Sequence, residues 1–421
     1  MRTILVVALA TAACTSPAQA QTMQAARTVP VFTLDEALRM ARASSPSIAA
    51  SAAGVDAATA GRSVAALRPN PEIEGTSEYF GGGGAYRGFS SAENTVRLAL
   101  PLELGGKRSA RIAVADAQIG RARLGSATAA ADLVLIVTQG YNDAAAAERR
   151  LAVARDQAQI AAEALRAAGI RVKAGFASPL EQQRADVLRI NADAAVERAA
   201  RTADVARGNL ARLVGTTIAG SIDQSWFDRV ESMNPVRPVA TDGTLALAAA
   251  RADTGIAGAQ VRLAQSQRVP DLTVSAGVRR LDATGTVVGV VGVGIPIPLF
   301  NNGRAAVAQA RSMQTQAEAQ QRAAQLDAER SIAGAQAELA NAATSARTAT
   351  GPALAAAEEA ARIARIGYRE GKFGQLDLLE AERTLAETRA GAIDALASYH
   401  DAQARLERLA TPAPEPTKDA R

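Results

Sequence analysis

The feature that most constrains this 421-residue chain is an internal repeat, because its second half restates the first. Three landmarks recur at nearly constant separation, which indicates two tandem copies of one architecture. We predict copies at residues 31–215 and 241–411, joined by a connector at 216–240. The landmarks are Pro71-Glu72-Ile73 with Pro270-Asp271-Leu272, "PLELGGK" from Pro101 with "PLFNNGR" from Pro298, and "KAGFASPLEQQRADV" from Lys173 with "REGKFGQLDLLEAER" from Arg369.

Each copy is expected to run helix, strand, strand, long helix, tight turn, long helix. The strands are indicated by alternation of apolar and polar residues, as at Leu272, Val274, Ala276 and Val278, which share one face. The stretch from Glu72 alternates poorly. Predicted strands lie at about 71–80, 92–101, 270–279 and 286–296.

Long helices are expected to dominate. No proline occurs from Gly106 to Ala168, so a helix of about 60 residues would reach about 90 Å. Aromatic residues are only 3% of the chain, and the abundant alanines suit helices that approach closely. We predict hairpin tips at 173–179 and 369–375, and a break at Gly351-Pro352.

The predicted strands are about ten residues long, which is enough to cross a bilayer when tilted. Four strands cannot close a barrel, and open edges are not tolerated in lipid, so the chain must oligomerise. Two subunits would supply eight strands, and three would supply twelve with room for a pore.

The amino terminus has the features of a secretory signal at residues 1–20, ending in the small-x-small site Ala18-Gln19-Ala20. An alternative interpretation is a lipoprotein box, in which Cys14 is acylated. Cys14 is the only cysteine, which excludes an intrachain disulfide. The tail at 412–421 is predicted to be disordered.

With these features in place, the segments "PLELGGKRSARI" (101–112) and "AEEAARIARIGYREGKFGQLDLLEAERTL" (357–385) carry a family likeness. The chain resembles the TolC family of outer-membrane channels, in the heavy-metal cation efflux branch typified by CzcC. The resemblance implies a mainly α fold with a small β part. It implies a homotrimer with a 12-stranded outer-membrane β-barrel, continued by a long α-helical barrel in the periplasm of a Gram-negative bacterium.

The resemblance also implies partners: outer-membrane lipid, a periplasmic adaptor protein and an inner-membrane pump of the resistance-nodulation-division class. The hairpin tips would receive the adaptor. The alternative is that the tips are turn chemistry alone, although an exposed phenylalanine favours docking. The tip residues are Gly175, Phe176, Ala177, Ser178, Gly371, Lys372, Phe373 and Gly374.

Asp377 and Glu380 follow the second tip on one helical face. Acids at matching positions in the family line the periplasmic entrance, where three copies of each would form rings that favour cations. The alternative is stabilisation of the helix dipole by acids in the first turn. The first copy departs from this pattern, since it carries Glu181 and Arg184 at the equivalent positions.

The repeated "PLELGGK" and "PLFNNGR" segments are predicted to be the strand-to-helix junctions. A proline would end each strand where a missing hydrogen-bond donor is tolerated. Glycine and asparagine would then let the backbone turn into the helix. The junction residues are Pro101, Gly105, Gly106, Pro298, Asn302 and Gly303.

The sequence offers no sign of catalysis, cofactor binding or a metal site. Motifs for nucleophilic or phosphate chemistry are absent. His400 is the only histidine, and three or four ligands are needed for zinc or copper, so we expect it on a helix surface. The net charge of +5 is spread along the chain, which argues against nucleic-acid binding.

The function that the resemblance implies is the exit duct of a tripartite efflux system that exports heavy-metal cations, namely cobalt, zinc, cadmium, nickel or copper. Two alternatives stay open: a similar duct for drugs or type I protein secretion, and a periplasmic coiled-coil adaptor or structural protein. Alternating strands of membrane length argue against the second alternative.

Overall fold

The computed structural model describes residues 31–231 and 241–415. Its helices are α1 (Leu34–Ser44), α2 (Pro46–Ala65), α3 (Lys107–Lys173), α4 (Pro179–Val214), α5 (Gln224–Phe227), α6 (Leu245–Ser266), α7 (Arg304–Thr348), α8 (Leu354–Arg369) and α9 (Gln375–Ala410). Its strands are β1 (Val31–Phe32), β2 (Glu72–Glu78), β3 (Glu93–Leu102), β4 (Ser221–Ile222), β5 (Leu272–Leu281) and β6 (Thr286–Gly294).

Both copies pass from helix through two strands into a long helical hairpin, although copy one begins with two helices, α1 and α2, and copy two with α6 alone. The long helices set the length of the molecule. Helix α3 has 67 residues, about 100 Å at the usual rise per residue. In the second copy the equivalent path is divided into α7 and α8. A π-helical turn, Ala349–Ala353, separates them, and Gly351 leaves helical geometry beside Pro352. The break predicted from Gly351-Pro352 is confirmed.

Four strands form one antiparallel sheet in the order β2-β3-β5-β6. One face is apolar and exposed, as at Val96 and its cross-strand neighbour Val278. The other face carries ion pairs. Arg97 on β3 binds Glu74 on β2 through two hydrogen bonds of 2.8 and 2.6 Å.

The largest buried cluster lies where the short strands β1 and β4 pair in parallel against the long helices. Tyr141 on α3 joins them, because its hydroxyl donates to the Phe32 carbonyl at 2.7 Å and accepts from the Asp223 N–H at 3.1 Å. The first part of the connector is therefore packed into the core. Helix α5 follows at once and buries Phe227 completely.

Helix α9 packs through a seven-residue repeat typical of coiled coils. Four residues spaced seven apart are buried, Leu378, Leu385, Ala392 and Tyr399, and the next in the series, Leu406, is half-buried. Among residues 31–231 and 241–415, no helix is both long and apolar enough to cross a membrane.

The start of the tail is ordered, which corrects part of the disorder predicted for 412–421. Pro412 forms a β-bridge with Thr244, and the Ala413 N–H donates to the Gly243 carbonyl at 2.8 Å. Backbone hydrogen bonds near α6 thus hold these residues. The predicted signal, including Cys14, and residues 416–421 lie outside the described residues.

Candidate functional site: strand junctions and hairpin tips

The two strand-to-helix junctions have the same backbone geometry. Gly106 and Gly303 precede α3 and α7, and both have φ of 72° in the left-handed region. This conformation strains any residue with a side chain, so glycine is required at both positions. Asn302, one residue before the N-cap Gly303, accepts a hydrogen bond from the Arg304 N–H at 3.1 Å, which satisfies one free donor at the start of α7.

The prolines do not end the strands in the way the sequence suggested. Pro101 lies inside β3, opposite Thr273, and β3 continues to Leu102. The other strand, β6, ends at Gly294, before Pro298 is reached. Within one chain Pro298 has no neighbouring strand to extend the ladder, because β6 is an edge of the sheet.

The first junction is tied closely to the second copy. A Cβ on Gly105 would lie 2.6 Å from Cβ of Val269, so the two segments touch through the glycine backbone. Lys107 Nζ lies 2.7 Å from Oδ1 of Asp271, just before β5, and the Leu104 N–H donates to the same oxygen at 3.1 Å. Asp271 therefore anchors both the start of α3 and the turn before it.

The first hairpin tip exposes an aromatic ring. Gly175 has a left-handed φ of 76°, which reverses the chain after α3. Phe176 follows with 80% of its surface exposed. Ala177 is half-buried, and the Ser178 hydroxyl accepts from the Leu180 N–H at 3.1 Å to cap α4.

The second tip is more closed. Gly371 has φ of 73°, and the ring of Phe373, at 43% exposure, packs on Gly367, where a Cβ would collide with it. Lys372 is paired with Glu370 at 2.7 Å. The two tips thus offer different surfaces, and Phe176 is the more available of the two rings.

Asp377 and Glu380 are both exposed on the first turns of α9. Asp377 also has a local role, because its Oδ2 accepts from the Gly374 N–H at 2.9 Å and completes the helix cap. The alternative interpretation of Asp377, as a helix-terminus acid, therefore has direct support. It does not account for Glu380.

Behind the tips, a hydrogen bond joins the two copies. The Tyr368 hydroxyl donates to Oε1 of Glu181 at 2.6 Å, and the Arg171 guanidinium lies 4.8 Å above the Tyr368 ring. Gln375 donates to the Glu181 carbonyl at 3.0 Å. Burial, with the bond to Glu181, raises the pKa of Tyr368 to about 12. Glu181 is thus engaged between the hairpins.

Sequence reasoning missed this link. Tyr368 and Glu181 lie on different copies, and no local pattern pairs them. The available signal was a tyrosine beside a predicted tip in a chain with only five tyrosines.

His400 is buried, so the expected helix-surface position is wrong. It is 4% exposed, and its ring stacks on Trp226 with centroids 4.1 Å apart. Its Nε2 lies 2.9 Å from the Phe227 carbonyl, which can only accept, so that nitrogen carries the proton. Burial lowers the pKa of His400. Within the described part of the chain, no group of three or more His, Cys, Asp and Glu residues is arranged to hold a metal ion.

A four-stranded sheet at one end, a longest helix of about 100 Å, and paired hairpin tips at the other end define the protomer of an outer-membrane channel. The chain belongs to the outer membrane efflux protein family, which it matches over residues 37–216 and 239–411. It is a channel protein of the outer membrane that extends into the periplasm, not an enzyme.

Two relatives agree with that assignment, and a solved structure agrees with the fold. The chain is 30% identical to the cobalt-zinc-cadmium resistance protein CzcC of Cupriavidus metallidurans, over 90% of this chain and 92% of that protein. It is 32% identical to the nickel and cobalt resistance protein CnrC of the same organism, over 65% and 68%. The outer membrane protein VceC of Vibrio cholerae has the same fold, with TM-score 0.72 and 20% identity over 90% of this chain and 96% of VceC.

Proposed function

We propose that this protein is the outer-membrane exit duct of an efflux system that exports heavy-metal cations such as cobalt, zinc, cadmium or nickel. The observation that carries the substrate class is the likeness to CzcC along nearly the whole of both chains.

The working unit we propose is a homotrimer. One chain leaves β2 and β6 as unpaired edges and an apolar face exposed, which membrane proteins avoid by closing the sheet. Three chains would supply twelve strands, enough for a pore, with the apolar face against outer-membrane lipid. The long helices would continue that pore into the periplasm.

The tips are proposed to dock a periplasmic adaptor, which connects the duct to an inner-membrane pump of the resistance-nodulation-division class. Support comes from the exposed Phe176 at the end of a helical hairpin, about 100 Å from the sheet. Aromatic side chains contribute strongly to protein interfaces, so an exposed ring at the end of a hairpin offers a contact for a partner.

Deletion of the gene, followed by growth on graded cobalt, zinc, cadmium, nickel and copper, tests the proposal. We expect greater sensitivity to at least one metal and recovery when the wild-type gene is returned. Growth on detergents and antibiotics is measured in the same strains. Unchanged tolerance to every metal, with new sensitivity to organic compounds, would overturn the metal assignment and indicate a drug duct.

A further inference from the structure

The free edges of the sheet are equivalent to the edges that pair inside the chain. Strand β3, the second strand of copy one, pairs with β5, the first strand of copy two. The remaining edges are β6, the second strand of copy two, and β2, the first strand of copy one. A neighbouring subunit can therefore continue the sheet. Its β2 would pair with β6 of the first subunit, in the way that β5 pairs with β3 inside one chain.

The internal pairing includes an ion pair at its helical end. Lys107 is the first residue of α3, and Asp271 stands directly before β5. Their side chains meet at 2.7 Å, and the Lys107 side chain is mostly buried. This ion pair ties the long helix of one copy to the first strand of the other.

Both residues have equivalents in the opposite copies. Arg304 is the first residue of α7 and follows Gly303, which has the same left-handed φ as Gly106 before Lys107. Glu72 begins β2 and follows a proline, as Asp271 does.

The equivalent residues have opposite charges, and both are exposed. Within residues 31–231 and 241–415, neither the Arg304 nor the Glu72 side chain has a hydrogen bond or an ion pair. Inside one chain they cannot satisfy each other in the way that Lys107 and Asp271 do, because they lie at opposite edges of the sheet.

We infer that Arg304 of one subunit pairs with Glu72 of the next, at each boundary between subunits. The occupant of the free edge is thus a second copy of this chain, and the inference rests on the trimer of the proposed function. Helix packing agrees with this pairing. Helix α3 lies against both α2 and α6, and its equivalent, α7, lies against α6. The α2 of the next subunit would then be the second neighbour of α7, in the place that α6 takes beside α3.

The same equivalence fixes the strand register. Inside the chain, Pro101 is opposite Thr273. In the repeat, Pro298 corresponds to Pro101, and Glu74 corresponds to Thr273. Pro298 is therefore placed opposite Glu74 of the next subunit. Glu74 lies on the charged face of the sheet with Arg97. Gly292 lies on the same face, because its partner Ser275 does, and Pro298 shares that face because it lies an even number of residues from Gly292. The register therefore keeps like faces together.

Paired cysteines test the contact directly. After reaction with a short bis-maleimide cross-linker and complete unfolding in urea, we expect Glu72→Cys with Arg304→Cys to give covalent dimers and trimers on a denaturing gel, and each single variant to run as a monomer. The matched control, Lys107→Cys with Asp271→Cys, should be cross-linked by the same reagent within one chain and remain a monomer. Cys14 is left unchanged, because cleavage or acylation would each remove its free thiol.

Charge exchange provides the second test. Arg304→Glu or Glu72→Arg alone should reduce the fraction of heat-resistant trimer, and the two together should restore most of it. The ion pair would be overturned if the wild type is a trimer but the 72/304 cysteines give no cross-link and the double exchange gives no rescue. The proposed function would then still stand. A wild-type protein that is monomeric in detergent and in membranes would overturn both.

Discussion

Tyr368 on α8 donates a 2.6 Å hydrogen bond to Glu181 on α4, so the two helical hairpins of one chain are joined directly behind their tips. Arg171 completes the contact from α3, over the Tyr368 ring and 3.7 Å from the Glu181 carboxylate. Gln375, at the start of α9, joins the copies at the same level, because its side chain donates to the Glu181 carbonyl at 3.0 Å. The position of one tip therefore depends on the other.

Tyr368→Phe should loosen both tips without unfolding the channel. Hydrogen bonds to a charged partner contribute about 1.5–3 kcal/mol, and removal leaves the Glu181 carboxylate with only its more distant contact to Arg171. We expect faster amide hydrogen exchange in 165–185 and 362–382. Tyr399→Phe is the control, since its hydroxyl accepts from the Glu231 N–H far from the tips. Unchanged exchange at the tips would show that the bond contributes no local stability.

The repeat explains why so much of the fold was predictable. Helix α3 follows from an uninterrupted helix-forming stretch, and β5 from regular alternation. Strand β2 was harder to delimit, because its residues alternate poorly and its position is fixed by pairing with β3. The sequence was sufficient to predict those elements whose pattern lies in their own consecutive residues.

Contacts between distant segments were not predictable. His400 was expected on the surface because a single histidine in an alanine-rich helix gives no sign of burial. It is buried by Trp226 and Phe227, which belong to the connector. The same reason applies to Tyr368 and Glu181, since their pairing depends on how two hairpins pack side by side.

Valine at the junction glycines should impair assembly more than ion preference. Gly106 and Gly303 have left-handed φ, where a β-branched residue costs about 1–3 kcal/mol. We expect Gly106→Val and Gly303→Val to reduce the yield of heat-resistant trimer. Gly334→Val, in open space on α7, is the control for a β-branched residue in a helix. Normal assembly of both junction variants would refute this assignment.

Acid should weaken the packing of the connector through His400. Because burial lowers its folded pKa below the ordinary 6.5, the unfolded chain binds a proton first as pH falls. Stability from this group is therefore complete above about pH 6.5 and declines below it, until the folded pKa is reached. Asp401 opposes the shift and Arg229 adds to it.

The measurement is the thermal midpoint between pH 8 and pH 5, compared with His400→Gln, which keeps a donor for the Phe227 carbonyl. We expect the wild-type midpoint to fall more steeply than that of the variant. Subtracting the midpoints of the variant from those of the wild type removes the contribution of other titrating groups. Asp143 is one of these groups, because burial raises its pKa. Parallel curves would exclude His400 as the source.

Replacing Phe176 should separate docking from folding. The ring is 80% exposed, so Phe176→Ser removes little packing from the chain. We expect normal trimers in the outer membrane together with a loss of most metal resistance. Leu326→Ser, an exposed apolar residue on α7, is the matched control and should retain resistance. Full metal resistance in Phe176→Ser would exclude a docking role for this ring, and the first tip would then serve only as a turn.

Glu380→Gln should lower the preference of the channel for cations. Glu380 is exposed one turn behind the second tip, and a trimer would bring three copies to the entrance, where a ring of carboxylates favours positive ions. Asp377 is a less suitable probe, because Asp377→Asn also weakens the cap on Gly374. The reversal potential across a planar bilayer in a salt gradient should move toward zero in Glu380→Gln. Glu359→Gln, whose carboxylate already binds Arg362 at 2.7 Å, should change it little. Equal reversal potentials for wild type and Glu380→Gln would exclude this carboxylate from the conduction path.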